Sequence, residues 1–177
     1  MYSADKPDDI DRFFRGLTEH AFHARLGVVD PPLVDYVATL LIRSIRSDQL
    51  GWPAGSDDQA DLVAHEAFDE SQVVATIGHD AAAGEGFRRL GDFALFWTGV
   101  YPEALDRPHP IHGPPIRPGG LPLVTYRLVG KRAYRLASVL FDDSDRIDRG
   151  VLERLSDEFD LCAEGLSEVR RAWSAAG

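Results

Sequence analysis

Asp92 is the residue of this chain whose chemical surroundings are most unusual. It stands inside the apolar run LGDFALFWTGVYPEAL, residues 90–105. A carboxylate removed from water costs several kcal/mol unless it is paired or hydrogen-bonded. A second helical segment downstream offers hydroxyl and cationic partners that would keep the acid ionised. These candidates are Tyr126, Lys131, Tyr134 and Arg135.

Two interpretations of such a polar group are open. The first is a buried structural cluster that fixes how two helices pack against each other. The second is a pocket for a small-molecule ligand, in which aromatic side chains surround the acid. The predicted ligand-binding residues are Asp92, Trp97, Tyr101, Tyr126, Lys131 and Tyr134.

Acidic and histidine side chains recur on two predicted helices at spacings that could suit a metal ion. Di-iron carboxylate bundles take Glu and Glu-x-x-His ligands from four facing helices, and this chain contains no Glu-x-x-His. We therefore interpret these side chains as a solvated face, and we predict no metal site and no cofactor. The residues are Glu19, His20 and His23 on the first helix, and Asp61, His65, Glu66 and Asp69 on the third.

Other signals for catalysis are weaker. His109 and His112 are three residues apart in a proline-rich loop, where they could bind a divalent ion or exchange protons near neutral pH, or have no chemical role. Cys162 falls on the apolar face of the last helix, where a thiol behaves as a small hydrophobe with a raised pKa. The chain has no Gly-x-Ser-x-Gly elbow, and its GHDAAAGEG segment lacks the Lys and Ser or Thr of a P-loop.

The element that must position Asp92 is a central helix, predicted from about residue 86 to 100. Five consecutive apolar residues beginning at Phe93 point to every side of a helix, which is typical of a helix inside a bundle. Gly91 and Gly99 each cost roughly 1 kcal/mol in a helix interior, which a fold tolerates where another backbone comes close. Pro102 is expected to end the helix.

Apolar residues at three- and four-residue steps predict about five further helices around the central one. Gly130 on the fifth of these six helices is expected to face Gly91 or Gly99. The predicted segments are about 7–26, a helix that begins at Asp30 and Pro31, a helix that ends near Ile77 with an irregularity at Asp69 to Ser71, a helix from Pro122 to Phe141, and a last helix with an apolar stripe from Leu152 to Trp173.

The sequence therefore predicts an all-α, single-domain bundle of about six helices, residues 1–177, without strands. Residues 107–121 carry five prolines and three glycines. They are predicted to form an irregular loop, and loops of this length are often functional, although many are only insertions.

Two motifs resemble a known family. LGDxxLFxxGxFPE, here with Tyr101 in place of Phe, is followed by YxxxGxxAY. This pair resembles a family of uncharacterised bacterial helical proteins without an assigned activity, so the resemblance implies a helical fold and no catalytic residue. The matching residues are Leu90, Gly91, Asp92, Leu95, Phe96, Gly99, Pro102 and Glu103, then Tyr126, Gly130, Ala133 and Tyr134.

Composition limits the partners and the compartment. The chain has 19 basic and 29 acidic residues, and its net charge of −10 repels nucleic-acid backbones and anionic membranes. No apolar run approaches the ~18 residues of a membrane span, and the N-terminus lacks the apolar region of a signal peptide. A single cysteine excludes an intramolecular disulfide, so a reducing compartment is expected. We predict a cytoplasmic protein that binds neither nucleic acid nor membrane.

Two functions remain open. The favoured one is a non-enzymatic helical protein that acts through protein contacts and forms a homo-oligomer, because strong catalytic motifs are absent and the stripe from Leu152 to Trp173 suits another helix of the same chain or of a second subunit. The alternative is a small-molecule-binding protein or an enzyme that uses a pocket around Asp92 and its aromatic neighbours.

Overall fold

The computed structural model describes residues 6–46, 53, 55–78, 80–105, 123–141 and 149–176, and within them it contains helices and no strand. This confirms the all-α prediction. The predicted loop at 107–121, with His109 and His112, lies outside the described residues. The α-helices are α1 (Lys6–His20), α2 (Pro31–Arg46), α3 (Asp57–Ala64), α4 (Glu70–Ile77), α5 (Ala81–Val100), α6 (Pro102–Leu105), α7 (Leu123–Leu140), α8 (Arg149–Asp157) and α9 (Phe159–Ala176).

Helix α1 continues into a π-helical turn, Ala21–Arg25, which accounts for the predicted length of the first helix. Gly27 follows with φ +67°, a conformation that ends helices and favours glycine. Phe22 in the π-helical turn is fully buried, and its ring occupies the space that a Cβ of Gly165 on α9 would need. The N-terminal helix is thereby fixed against α9.

The segment predicted as the third helix forms two helices, α3 and α4. The prediction of one continuous helix is therefore wrong, whereas the predicted irregularity near Asp69 is confirmed. Asp69 caps α4, because its carboxylate accepts from the backbone N–H groups of Ser71 and Gln72 at 2.9 and 3.2 Å. Arg132 of α7 donates to the carbonyl oxygen of Val63 at 2.7 Å, near the end of α3. Both ends of this break are therefore satisfied by side chains.

Helix α5 is the central helix, and every residue from Leu90 to Val100 is buried. It packs against α2, α3, α6, α7 and α9. It begins at Ala81, five residues before the predicted start, because the Asp80 carboxylate accepts from the backbone N–H of Ala82 at 2.9 Å and caps it. The Pro102 prediction is confirmed, since that proline begins the separate short helix α6.

Two glycines allow helices to approach closely. A Cβ on Gly99 would lie 2.7 Å from the Cβ of Leu166, so α9 crosses α5 at this residue. A Cβ on Gly130 of α7 would collide with the ring of Phe159. The expectation that Gly130 faces Gly91 or Gly99 is therefore wrong: Gly130 makes room for an aromatic ring of α9, not for another glycine.

The predicted last helix is also divided, into α8 and α9, on either side of Glu158. Its apolar stripe is buried in this chain, because α8 packs on α2 and α7 while α9 packs on α1, α5 and α7. A second subunit therefore has no access to it. The buried members are Leu152, Leu155, Phe159, Cys162, Leu166 and Val169, and Trp173 at the end is half-buried.

None of the helices in the described ranges combines the length and apolarity that crossing a membrane requires.

Candidate functional site

The Asp92 carboxylate accepts four hydrogen bonds from three helices. Its Oδ1 accepts from the hydroxyls of Tyr36 and Tyr134, both at 2.8 Å. Its Oδ2 accepts from Nη2 of Arg43 at 2.6 Å and from Nη1 of Arg88 at 2.5 Å. Helices α2, α5 and α7 therefore meet at one acid, and we call Asp92 with these four donors and Glu85 the Asp92 centre.

Arg88 links two carboxylates along α5. It lies one turn before Asp92, and its Nε and Nη2 donate to Glu85 at 2.7 and 2.6 Å. Its Nη1, besides reaching Asp92, lies 3.3 Å from the Tyr36 hydroxyl. All three guanidinium nitrogens are engaged, an arrangement that holds a planar cation in one orientation.

Burial differs sharply within the Asp92 centre. The side chains of Asp92 and Arg88 are only 8% and 12% exposed, whereas that of Arg43 is 50% exposed. The centre is thus a largely buried cluster of charged side chains, and Arg43 forms its solvent-exposed side. Two carboxylates and two guanidinium groups balance in charge, which offsets the desolvation that a single buried ion would suffer.

The electrostatics keep both tyrosines protonated. Burial, and after it the negative charge of Asp92, raises the pKa of Tyr36 and of Tyr134 well above the usual value. The hydrogen bond from Arg88 lowers the pKa of Glu85 to about 2 against the opposing effect of burial. Burial alone would lower the pKa of Arg88, but Glu85 and Asp92 outweigh it and raise that pKa. The two hydroxyls are therefore fixed donors at neutral pH.

Tyr134 contacts Asp92, as the sequence predicted. Two other predicted partners, Lys131 and Arg135, pair with different acids. Lys131 pairs with Asp160 of α9 at 2.5 Å, and Arg135 pairs with Glu70 of α4 at 3.3 Å. The prediction that either cation meets Asp92 is wrong. Both lie on partly exposed positions of α7, where a long side chain keeps its charge in contact with water.

The remaining predicted ligand residues form an aromatic cluster beside the Asp92 centre. The Trp97 ring lies 5.4 Å from that of Phe96 and 5.6 Å from that of Tyr101, and Trp97 is buried. Tyr126 is also buried, with its ring 6.3 Å from Phe93. These rings pack against one another along α5. Their role in binding a ligand stays a prediction.

A groove of about 570 Å³ opens between α9 and the junction of α5 and α6. The guanidinium of Arg170 lies 4.8 Å from the centre of the Tyr101 ring and pairs with Glu103 at 2.5 Å. Arg171 pairs with Glu168. Both cations of the groove are thus neutralised by acidic side chains of the chain itself. The groove is lined by Gly99, Pro102, Ser167, Arg170, Arg171, Ser174 and Ala175.

Two of the candidate metal ligands, Asp69 and His65, make local hydrogen bonds to the backbone. Among the described residues no group of three or more His, Cys, Asp or Glu side chains could hold a metal ion. Asp69 caps α4, as described above, and Nδ1 of His65 accepts from the backbone N–H of Ala67 at 3.1 Å.

Burial raises the pKa of Cys162 to about 12, so its thiol stays protonated at neutral pH.

Four members of the Asp92 centre were missed from the sequence. Arg88 could have been found, because it precedes Asp92 by four residues and a helix brings such pairs into contact. Glu85 follows by the same rule, three residues before Arg88. Tyr36 and Arg43 are seven residues apart and so share one face of α2, but no local pattern says that this face meets α5.

No protein-family model, curated protein or solved structure matches this chain. The resemblance to uncharacterised bacterial helical proteins therefore stays a prediction. Function has to be argued from the geometry of this chain, since a helical bundle by itself implies none.

Proposed function

We propose that this is a non-enzymatic helical protein that acts by binding another protein, and that the outer face of α1 is its contact surface. The observation that carries the proposal is the composition of that face. Two large apolar side chains are exposed there, Ile10 at 45% and Phe13 at 44%. Gly16 lies on the same side of the helix and is also exposed.

The packing of the described residues does not account for Gly16. Among them, no atom lies within 4 Å of where its Cβ would be, and its φ is not in the left-handed region. A glycine in a helix interior costs roughly 1 kcal/mol relative to alanine. A helix face that lacks a side chain beside two exposed apolar groups would let a second protein approach closely.

The chemistry of the Asp92 centre supports a structural role for it. A general base needs a lone pair within hydrogen-bond reach of its substrate, and here both oxygens of Asp92 already accept two donors each. The neighbouring tyrosines, with their raised pKa values, are poor proton donors in catalysis. The centre holds α2, α5 and α7 together.

The net charge of −10 disfavours nucleic acids and anionic membranes as partners, which supports a protein partner. We place the protein in the cytoplasm as part of the proposal, in keeping with its one cysteine, which is buried.

Site-specific photocrosslinking tests the proposal. A photoreactive phenylalanine analogue at position 13 should form protein adducts in cells that produce the chain, because position 13 lies within the contact surface. The same analogue at Leu128, an exposed apolar residue of α7 (38%), is the matched control. Adducts at position 13 no more abundant than those at position 128 would contradict the proposal.

A second candidate function is binding of a small molecule in the groove of α9. It is favoured by the size of the groove, about 570 Å³, within the range of ligand pockets. A carboxylate ligand would have to displace Glu103 from Arg170, so we rank this candidate below the first. A native mass spectrum of the untagged protein would show a retained molecule as added mass, and a spectrum of the bare chain would remove this candidate.

A further inference from the structure

We infer that the protein partner of α1 is a second copy of the same chain, packed so that the two α1 helices run antiparallel around a two-fold axis midway between Phe13 and Gly16. This inference rests on the proposed function and names its partner. It follows from the order of the residues on the exposed face, from glycine–ring contacts that recur inside the chain, and from a hydrogen-bond acceptor and a donor at opposite ends of that face.

The exposed face of α1 carries a line of residues that is complementary to the same line on a second copy running in the opposite direction. Asp9, Phe13, Gly16 and His20 are spaced by four, three and four residues, so they follow one line along the helix. All four are exposed. A two-fold axis at the middle of this line places Phe13 opposite Gly16 of the second copy, and Asp9 opposite His20 of the second copy. Each contact then occurs twice, as an isologous interface requires.

Inside the chain, helices pack closely where an aromatic ring of one helix lies against a glycine of another. In each of three interior cases an aromatic ring occupies the volume that a Cβ would need, and the two helices approach at that residue. Gly16 and Phe13 are a fourth glycine and a fourth ring, but both are exposed. The interior pairs are Gly91 with Tyr134, Gly130 with Phe159, and Gly165 with Phe22.

Phe13 is oriented by its own chain. Its ring makes an edge-to-face contact with Phe14, with ring centroids 5.2 Å apart, and Phe14 in turn packs edge-to-face against Trp173 of α9 at 5.1 Å. An aromatic side chain supported in this way loses little conformational entropy when a partner binds.

The ends of this line carry opposite character. The Asp9 carboxylate reaches Arg12 at only 3.8 Å, and both side chains are at least 71% exposed, so this contact leaves the acid accessible. The imidazole of His20 can donate a hydrogen bond to a carboxylate. Two such pairs, one at each end, would fix the antiparallel direction, because parallel helices would instead bring Asp9 against Asp9.

The surface suits a weak dimer. Helix α1 has 15 residues and is therefore about 22 Å long. A single helix from each protomer belongs among the smaller specific interfaces, below about 1,200 Å² of total buried surface. We expect a dissociation constant on the order of micromolar or weaker, that is, a dimer that forms and separates with concentration.

Sedimentation equilibrium of the purified full chain, from about 1 to 500 µM, tests the inference over the affinities expected. The wild-type protein should show a monomer–dimer equilibrium. Phe13→Asp and Gly16→Gln should each weaken it at least tenfold, whereas Leu128→Asp should leave it unchanged. Glutamine is a better helix former than glycine, and its Cβ would meet no atom of the described part of the chain within 4 Å. Weaker association of Gly16→Gln, together with an unchanged or higher melting temperature, therefore cannot result from unfolding.

A charge exchange tests the antiparallel direction. His20→Asp should weaken the dimer at least tenfold, because it places two carboxylates opposite each other at both ends. Adding Asp9→Lys to the same chain should restore it, since each Lys then meets an Asp of the second copy. A dimer that the single variant does not weaken, or that the double variant does not restore, would overturn the antiparallel arrangement.

The two proposals fail in different ways. A wild-type chain that stays monomeric up to about 500 µM overturns the inference of a second copy. If position 13 still crosslinks to a different protein in cells, the proposed function survives with that protein as the partner. If position 13 gives no adduct above the Leu128 control, the proposed function fails as well. An adduct with twice the mass of the chain, together with the concentration-dependent dimer, supports both.

Discussion

The ring of Tyr134 lies against Gly91 at the centre of the bundle. A Cβ on Gly91 would be 2.8 Å from two carbons of that ring, closer than real Cβ contacts come. The hydroxyl of the same tyrosine donates to Asp92, the next residue along α5. Gly91 and Asp92 therefore act together on Tyr134: Gly91 leaves room for its ring, and Asp92 accepts the hydrogen bond from its hydroxyl.

Gly91→Ala should destabilise the protein by about 1–3 kcal/mol, because the added methyl group displaces the Tyr134 ring and lengthens its hydrogen bond to Asp92. Gly84→Ala in the same helix is the matched control. Its Cβ would lie 3.4 Å from the ring of Phe141, an ordinary contact, and alanine favours the helix. Urea unfolding of both variants checks this, and equal free energies of unfolding would contradict it.

Asp92→Asn should lower the free energy of unfolding by about 3–5 kcal/mol, because it removes one of the two carboxylates that pair with the buried Arg88 and leaves the Asp92 centre with an excess positive charge. Asp160→Asn is the control at the surface. Asp160 is 50% exposed and pairs with Arg127 and Lys131, so its loss should cost less than about 1 kcal/mol. Denaturant unfolding compares the two. If Asp92→Asn cost no more than the control, the Asp92 centre would not hold the helices together.

The sequence predicted the central helix and the buried stripe of α8 and α9 because both depend on local apolar spacing. The early start of α5 was missed although Asp80 before three alanines is a readable cap. The partners of Asp92 depend on which helix faces which, and spacing does not contain that information. Lys131 is near Tyr134 in sequence but pairs with α9, whereas Tyr36, which does contact Asp92, comes from a helix more than 50 residues away.

Tyr134→Phe should cost about 1.5–3 kcal/mol, because it removes a fully buried hydroxyl that donates to a charged carboxylate. Tyr36→Phe removes the matching donor to the same oxygen, but Tyr36 is partly exposed whereas Tyr134 is fully buried, so the cost should be smaller. Denaturant unfolding at pH 7 measures both. If Tyr36→Phe lowered the free energy of unfolding more than Tyr134→Phe does, Tyr134 would not be the more deeply buried donor of the Asp92 centre.

High pH should destabilise the wild-type chain through the same tyrosines. Their pKa values in the folded state are raised above the ordinary value of 10.0, so their contribution to stability is complete below pH 10 and is lost as the pH rises further. Tyr134→Phe lacks one of the two groups and should lose stability less steeply above pH 10. Urea unfolding between pH 9 and 11.5 checks the slope, and parallel curves would contradict the prediction.

At low pH we expect Glu85 to contribute to the loss of stability. Its pKa is lowered from 4.5 to about 2 in the folded protein, so its contribution to stability is present above pH 4.5 and is lost as the pH falls towards 2. Glu85→Gln cannot titrate and lacks this contribution at every pH. The variant should therefore be less stable than wild type at pH 6, and the difference should shrink steadily between pH 4.5 and 2. Glu153→Gln, which neutralises an exposed acid of α8, controls for the change in net charge and should follow the wild-type curve. A difference between Glu85→Gln and wild type that stays constant down to pH 2 would mean that Arg88 does not hold Glu85 in the ionised form.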